Sequence, residues 1–367
     1  MTPLKLISAD SHIVETPDWY TERVERKYRD RVPRIVKKGD GPAMEIINLP
    51  GMKPIPARAY IPNAVGQSGK DDGKSAEYSD TRPGAWDPGA RLKDQETDGV
   101  VAEVLYPTIG MRLFGGNDPE LRAVCFRAHN DRMGEFCAVA PTRLMPVAML
   151  QIDDIPAAVA ELERCARLGH RGAMISSAPP EERPYNSPYY DPLWAAASSL
   201  GMPISLHVLT GTGQRRVDRN TLSTEPLFFT LQYVNELQES LTRMIEGGVF
   251  ERFPKLRVVT VESGIGWMLG LAAALDYIWK RRQSPLKRPP SEYIRENIAA
   301  TFQHDAALKG NVLGGMANFM WANDYPHGDS TWPVSQKVIE TDFAGLAPEQ
   351  VRAITWDNAA KAYGIRL

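Results

Sequence analysis

Leu4-Lys5-Leu6-Ile7-Ser8-Ala9-Asp10-Ser11-His12 is the stretch on which the fold of this chain turns. Its first six residues read as a β-strand, and two side chains able to bind a metal, Asp10 and His12, follow directly. In extended chain, residues i and i+2 face the same side, so these two can reach one point in space. Runs of the same aliphatic and β-branched kind recur at Val101 to Tyr106, Met145 to Met149, Gly172 to Ser176, Ile204 to His207, Arg257 to Glu262, Ile298 to Phe302 and Phe319 to Trp321. With the first they make eight. Amphipathic stretches lie between them, for example Pro119 to Ala138, Ile155 to Leu168, Glu225 to Glu246 and Gly266 to Arg282. Strands alternating with helices are the mark of a parallel sheet. Eight such units predict an α/β chain folded as a (β/α)8 TIM-like barrel, with active-site residues at the C-terminal ends of the strands. From about Pro333 the tail reads as two or three short helices.

Closure of such a barrel makes its first and last strands neighbours. Asp324, in Trp321-Ala322-Asn323-Asp324-Tyr325-Pro326-His327, then sits beside Asp10 and His12. His207, ending the fifth strand, points across the mouth at the same place. Carboxylate oxygens mixed with imidazole nitrogens suit Zn²⁺, Mn²⁺ or Fe²⁺.

Taken together, DSH at 10–12, DGVVAEVLYPT at 98–108, the lone His207 and WANDYPHGDSTWP at 321–333 resemble the amidohydrolase-related family. That branch of the superfamily includes aminocarboxymuconate-semialdehyde decarboxylase and the resorcylate-type decarboxylases. The resemblance spans nearly the whole chain outside one insertion. It implies a metal-bearing TIM-like barrel whose ligands here are Asp10, His12, His207 and Asp324. The chain departs from the family pattern in two places. Where many members carry a histidine after strand six, this chain has Val261-Glu262-Ser263-Gly264, which puts Glu262 in that position. Around Arg171-Gly172-Ala173-Met174 there is no lysine that could become a bridging carbamate. His304, after the seventh strand, could face the same mouth. Six candidates result: Asp10, His12, His207, Glu262, His304 and Asp324. Four suffice for one ion, and six suffice for two if Glu262 bridges or binds the second with His207 and His304.

Three readings follow. The first is a metal-dependent enzyme acting on a small apolar or aromatic carbonyl or carboxylate substrate, by hydrolysis or non-oxidative decarboxylation. Glu262 and His304 are its catalytic candidates, with Glu262, or an Asp near the metal, shuttling the proton. The alternative is a non-heme diiron oxygenase built on the amidohydrolase fold. The third is an inactive barrel used as a binding protein. Each site residue also has an ordinary reading: Asp324 as a helix N-cap, His304 as a loop position, Glu262 salt-bridged to an arginine. His327 suits a substrate contact or the orienting of a ligand. His129 and His170 read as ordinary. Glu103 faces either inward, near the metal, or outward. Lys280-Arg281-Arg282 with Lys287 and Arg288 reads as a solvated turn before it reads as a phosphate or coenzyme A handle. Trp19, Trp86, Phe114, Trp267, Tyr325 and Trp332 are placed around the mouth, favouring an apolar or aromatic ligand.

Residues 32–88 break the rhythm, being rich in Gly, Pro, Lys and Asp. So long a loop inside a compact domain is usually functional. Following the first strand, it emerges over the active site and is read as a lid-like insertion, with room for a small hairpin, in a single barrel domain of 1–367. Apolar residues at 43 % and charged ones at 24 % suit a large core, and a net charge of −2 argues against nucleic acid as a partner. No apolar run approaches the roughly 18 residues that span a bilayer, and the start lacks a signal-peptide shape, so no membrane role and a cytoplasmic site are expected. Cys125, Cys137 and Cys165 lie in helical stretches without CxxC spacing and read as buried thiols. A small-molecule substrate and a homodimer, for which the face near Asp191 to Leu200 could serve, complete the expectations.

Overall fold

The computed structural model of the chain describes residues 4–39, 44–50, 53–57, 81–211 and 225–366. Eleven strands are formed among them: β1 (Leu6–Ile13), β2 (Arg34–Lys37), β3 (Met44–Ile47), β4 (Ile55–Pro56), β5 (Val100–Pro107), β6 (Leu144–Met149), β7 (Gly172–Ile175), β8 (Ile204–His207), β9 (Val258–Val261), β10 (Ile298–Phe302) and β11 (Phe319–Trp321). Eight form one sheet in the order β1-β5-β6-β7-β8-β9-β10-β11. Every pairing in it is parallel. This is the predicted barrel. Its strands are legible because parallel strands covered on both faces must be apolar throughout: every residue of β6, β7, β8 and β9 is buried.

Aspartates start several of the intervening helices. Asp87, Asp118 and Asp154 each accept a hydrogen bond from the backbone N–H three residues on, at 2.6, 3.0 and 3.0 Å. Proline follows within the first two helical positions, where its missing N–H costs nothing. These caps open the helices Pro88–Asp98, Pro119–Ala138 and Ile155–Arg167. The tail forms Ser335–Asp342, Pro348–Arg352, a π-turn over Ala353–Asp357, and Asn358–Tyr363.

β1 and β11 stand at the two ends of the sheet order, so the barrel closes between them. The turn after β11 supplies two of the closing bonds. Asp324 N–H donates to the Asp10 carbonyl at 3.0 Å, and His12 N–H donates to the Tyr325 carbonyl at 2.6 Å. Beside them, Asn323 N–H donates to Ser8 Oγ (2.9 Å) and Ser11 Oγ donates to Asn323 Oδ1 (2.8 Å). The aliphatic pattern ends the first strand at Ala9, but the strand runs on to Ile13, with a register shift against β5 between Ser8 and Ser11. Asp10 and His12 are therefore held inside a strand.

Within the predicted insertion, β2, β3 and β4 form an antiparallel sheet. Ile35 and Ile46 pack with Val14 and Ile109, which follow β1 and β5, so this sheet sits against the C-terminal end of the barrel. Residues 40–43, 51–52 and 58–80 of the insertion lie outside the described residues.

Candidate metal centre

Alternation along β1 turns Asp10 and His12 inward, and β8 brings His207 to the same level. Asp324 arrives from the turn after β11. All four are fully buried. His12 Nε2 lies 3.3 Å from both Asp10 Oδ1 and Asp324 Oδ1, while His207 Nε2 lies 3.4 Å from His12 Nε2 and 3.8 Å from Asp10 Oδ1. Asp10, His12 and His207 bring ligand atoms within 4.8 Å of one another, and Asp324 joins through His12, in a second group with His327.

Hydrogen bonding fixes the faces of the two rings. His12 Nδ1 faces the Pro107 carbonyl at 2.8 Å and His207 Nδ1 faces the Val208 carbonyl at 3.0 Å. A carbonyl only accepts, so each Nδ1 is the N–H donor. In the neutral rings both Nε2 lone pairs then point at each other and at carboxylates. Both oxygens of Asp10 are buried and lack a hydrogen-bond partner. Such a group is costly unless a cation answers it. Two ligand atoms about 2.1 Å from one ion stand roughly 3.4 Å apart at the tetrahedral angle, matching the separation of the two Nε2 atoms. The donor set fits a divalent ion.

Electrostatics point the same way. Burial alone would hold the His12 pKa down, but Asp10 and Asp324 against its Nε2 carry it well above the ordinary value. Burial likewise lowers His207, to about 4, against the pull of Asp10. Burial would raise the pKa of Asp324, yet the charge of His327 and the hydrogen bonds of His12 and His327 hold it far below the carboxylate range. The cavity draws positive charge to His12 and keeps His207 a neutral donor.

Glu262, after β9, is a quarter exposed, and its Oε2 lies 4.0 Å from His207 Nε2. Burial, then the charges of Asp324 and Asp10, push its pKa well above the ordinary carboxylate value. With Asp324 and Asp329 it forms a second acidic group at the mouth. His304 is not brought in. Its side chain is 56 % exposed, and Nδ1 pairs with Asp342 at 2.7 Å. Placement after a barrel strand gave the right end of the barrel, but two loop residues beyond β10 the side chain is free to turn outward. The two-metal arrangement that needed His304 with Glu262 and His207 is not assembled.

His327 is closer to the centre than its sequence position alone could establish. Its ring lies tilted by 32° against that of His12 with centroids 4.1 Å apart, Nδ1 lies 3.0 Å from Asp324 Oδ1, and Nε2 lies 3.2 Å from Thr108 Oγ1. Asp329 is the residue that sequence reasoning missed; two positions past His327, it resembles any turn aspartate. Three non-glycine residues beside the site, Leu209, Glu262 and Asp324, have left-handed backbones with φ of 69°, 58° and 52°. Strain of that kind costs about 1–3 kcal/mol per residue and gathers where geometry matters.

Other expectations resolve away from the centre. Glu103 is buried, but it pairs with Arg91 at 2.6 Å rather than facing the ligands. Trp19 and Phe114 are core residues, and Tyr325 and Trp332 pack with Arg91 and Arg82. The helix Asp191–Leu200 buries Leu193, Trp194 and Ala197 within the chain. In the basic stretch, Arg288 pairs with Glu296 and Arg281 contacts Tyr277, as a solvated surface does. His129 and His170 are buried in the helical layer.

Comparison with known proteins agrees with this layout. A family profile described as Amidohydrolase matches residues 54–365. Gamma-resorcylate decarboxylase of Rhizobium sp. (strain MTP-10005) is 26 % identical over 249 residues, 62 % of this chain and 75 % of that one. Among solved structures, an amidohydrolase from Mycobacterium avium subsp. paratuberculosis K-10 superposes with a TM-score of 0.79 at 20 % identity, covering 98 % of this chain and 99 % of that one. Dihydroxybenzoic acid decarboxylase from Polaromonas sp. JS666, solved with bound manganese and 2-nitroresorcinol, gives a TM-score of 0.67 at 18 % identity, covering 99 % and 98 %. At these identities the two structures establish the shared fold.

Proposed function

This chain belongs to the amidohydrolase family, and from that premise we propose that it is a metal-dependent, non-oxidative decarboxylase of a small hydroxylated aromatic acid. The observation that carries the reading is Asp10: a buried carboxylate with no hydrogen-bond partner, facing the Nε2 atoms of His12 and His207. Asp10, His12, His207 and Asp324 would hold the ion. A divalent ion, when bound, supplies Lewis-acid polarisation and a grip on the carboxylate of the substrate. The names of the curated relatives and the manganese of the Polaromonas structure support both substrate class and metal.

Glu262 is assigned the proton. It stands beside His207 but keeps an open side toward the mouth, where a substrate ring can lie. Burial favours its protonated form, the state a donor needs. Glu262 gives its proton to the ring carbon that bears the carboxylate. The bond to that carboxylate then breaks, its electron pair restores the aromatic ring, and CO2 leaves. Water reprotonates Glu262. His327, held by Asp324 and Thr108, orients Asp324.

The oxygenase alternative gains no support from the relatives, and the His304 placement removes a ligand it required. Chelator-stripped protein reloaded with Mn²⁺ or Zn²⁺ is to be offered 2,6-dihydroxybenzoate, other hydroxylated benzoates, and the esters and amides of the same acids. We expect metal-dependent CO2 release and, in D2O, one deuterium at the vacated ring position. Hydrolysis of the esters or amides with the acids untouched would overturn the proposal in favour of hydrolase chemistry.

A further inference from the structure

Arg91 lies in the helix Pro88–Asp98 and is completely buried. Its guanidinium is divided among four partners. Nε–H donates to Glu103 Oε2 at 2.6 Å, Nη1 donates to the carbonyls of His12 (2.8 Å) and Gly84 (3.2 Å), and Nη2 donates to the carbonyl of Tyr325 at 3.4 Å. Its face packs on the Tyr325 ring with 4.3 Å to the centroid. Glu103 is held in turn by Gln95 Nε2 at 2.9 Å. His12 is a proposed ligand residue, and Tyr325 immediately follows another. One rigid cation thus grips both sides of the place where the barrel closes, at the level of the metal centre.

From this geometry we infer that Arg91 is a positioning residue for the metal: it sets Asp324 in register with Asp10 and His12. The inference rests on the metal reading above. The sheet order ends at β1 on one side and β11 on the other, so the ligands on the two sides are aligned by the turn bonds and by this guanidinium. The fork matters as much as the charge. A lysine could neutralise Glu103, but its single ammonium on a flexible stem cannot serve both carbonyls in fixed directions. A buried ion pair contributes little net stability and is often replaceable by apolar residues of similar volume. If Arg91 and Glu103 were there for stability alone, such a replacement would be silent at the metal.

The test measures Mn²⁺ binding to chelator-stripped protein by calorimetric titration, with the electron paramagnetic resonance spectrum of the bound ion as a second readout. Two variants are compared with the unaltered chain: Arg91→Lys, and the pair Arg91→Met with Glu103→Leu. Expected are near-normal far-UV circular dichroism and metal-free thermal midpoints, a dissociation constant for Mn²⁺ raised at least tenfold in both, and a broadened spectrum. Folded Arg91→Lys protein that binds Mn²⁺ within twofold of the unaltered chain overturns the inference, whatever the double variant does. Should the unaltered chain itself fail to take up one Mn²⁺, it is the metal reading that falls.

Discussion

Replacing Glu262 by glutamine keeps the size of the side chain and removes its acidic proton. If Glu262 is the donor, Glu262→Gln loses on the order of 10²–10⁴-fold in kcat while its Mn²⁺ affinity stays within a few-fold. Turnover that survives in this variant would move the proton elsewhere, to His327 or Asp329 on the same rim. Asp10→Asn makes the opposite split. Neither Asp10 oxygen has a hydrogen-bond partner, so the loss falls on the ion: Mn²⁺ affinity drops at least tenfold, and activity returns in part when Mn²⁺ is raised to saturation. The two substitutions separate holding the ion from moving the proton. Both residues were legible in the sequence, Asp10 from its i, i+2 partnership with His12 and Glu262 from its place after the sixth barrel strand. His304 had the same kind of warrant and did not arrive. A position past a strand's end locates a residue along the chain, but the rotation of the loop decides where its side chain points.

At the level of elements, the helix Pro88–Asp98 shows why some of the fold resists a reading by hydrophobic pattern. Its buried face is Arg91, Asp94, Gln95 and Asp98, an i, i+3, i+4, i+7 stripe made of polar residues. The periodicity is helical, but the buried stripe is polar where an apolar one would announce a packed face. Those residues are buried because each has a partner across the closing side of the barrel: Asp94 accepts from Tyr325 Oη and Arg82 Nε, and Asp98 accepts from the Ser335 backbone N–H at 2.9 Å. The end of β1 escaped for a related reason, since the barrel mouth calls for polar residues where a strand would normally show aliphatic ones. Gly84 tests this polar layer. A Cβ there would strike the Asp94 carboxylate and stand 2.5 Å from Tyr325 Oη. Gly84→Ala should therefore cost about 1–3 kcal/mol, as overpacking of tight interiors does, read as a lower denaturant midpoint. Because Tyr325 follows Asp324, Mn²⁺ affinity should fall with it. A normal midpoint and normal affinity would show that the layer yields without consequence.

Across the molecule, burying histidines away from the site ties stability to pH. His129 Nδ1 accepts from Trp19 Nε1–H at 3.1 Å, and its other ring nitrogen is buried without a partner, as is His170 Nε2. Burial lowers His129 to about 3 and His170 to about 4. In the unfolded chain both titrate near the ordinary value of about 6.5. Between those limits the unfolded state binds protons that the folded state refuses, so stability must rise with pH there. It is fully present above about 6.5 and is lost as the pH falls toward 4, with a limiting slope of roughly 1.4 kcal/mol per pH unit for each histidine. Glu15 opposes this in part, because burial raises its pKa and the folded state then holds a proton longer. Substitution isolates the histidine share. Urea unfolding of chelator-treated protein at pH 7 and pH 5 should show a smaller difference in His129→Gln and in His170→Asn than in the unaltered chain. The difference between the two pH values is what decides, since either substitution can shift stability equally at both. A pH difference unchanged in both variants would mean that acid enters elsewhere, with His207, lowered to about 4 by burial, the next group of the right sign.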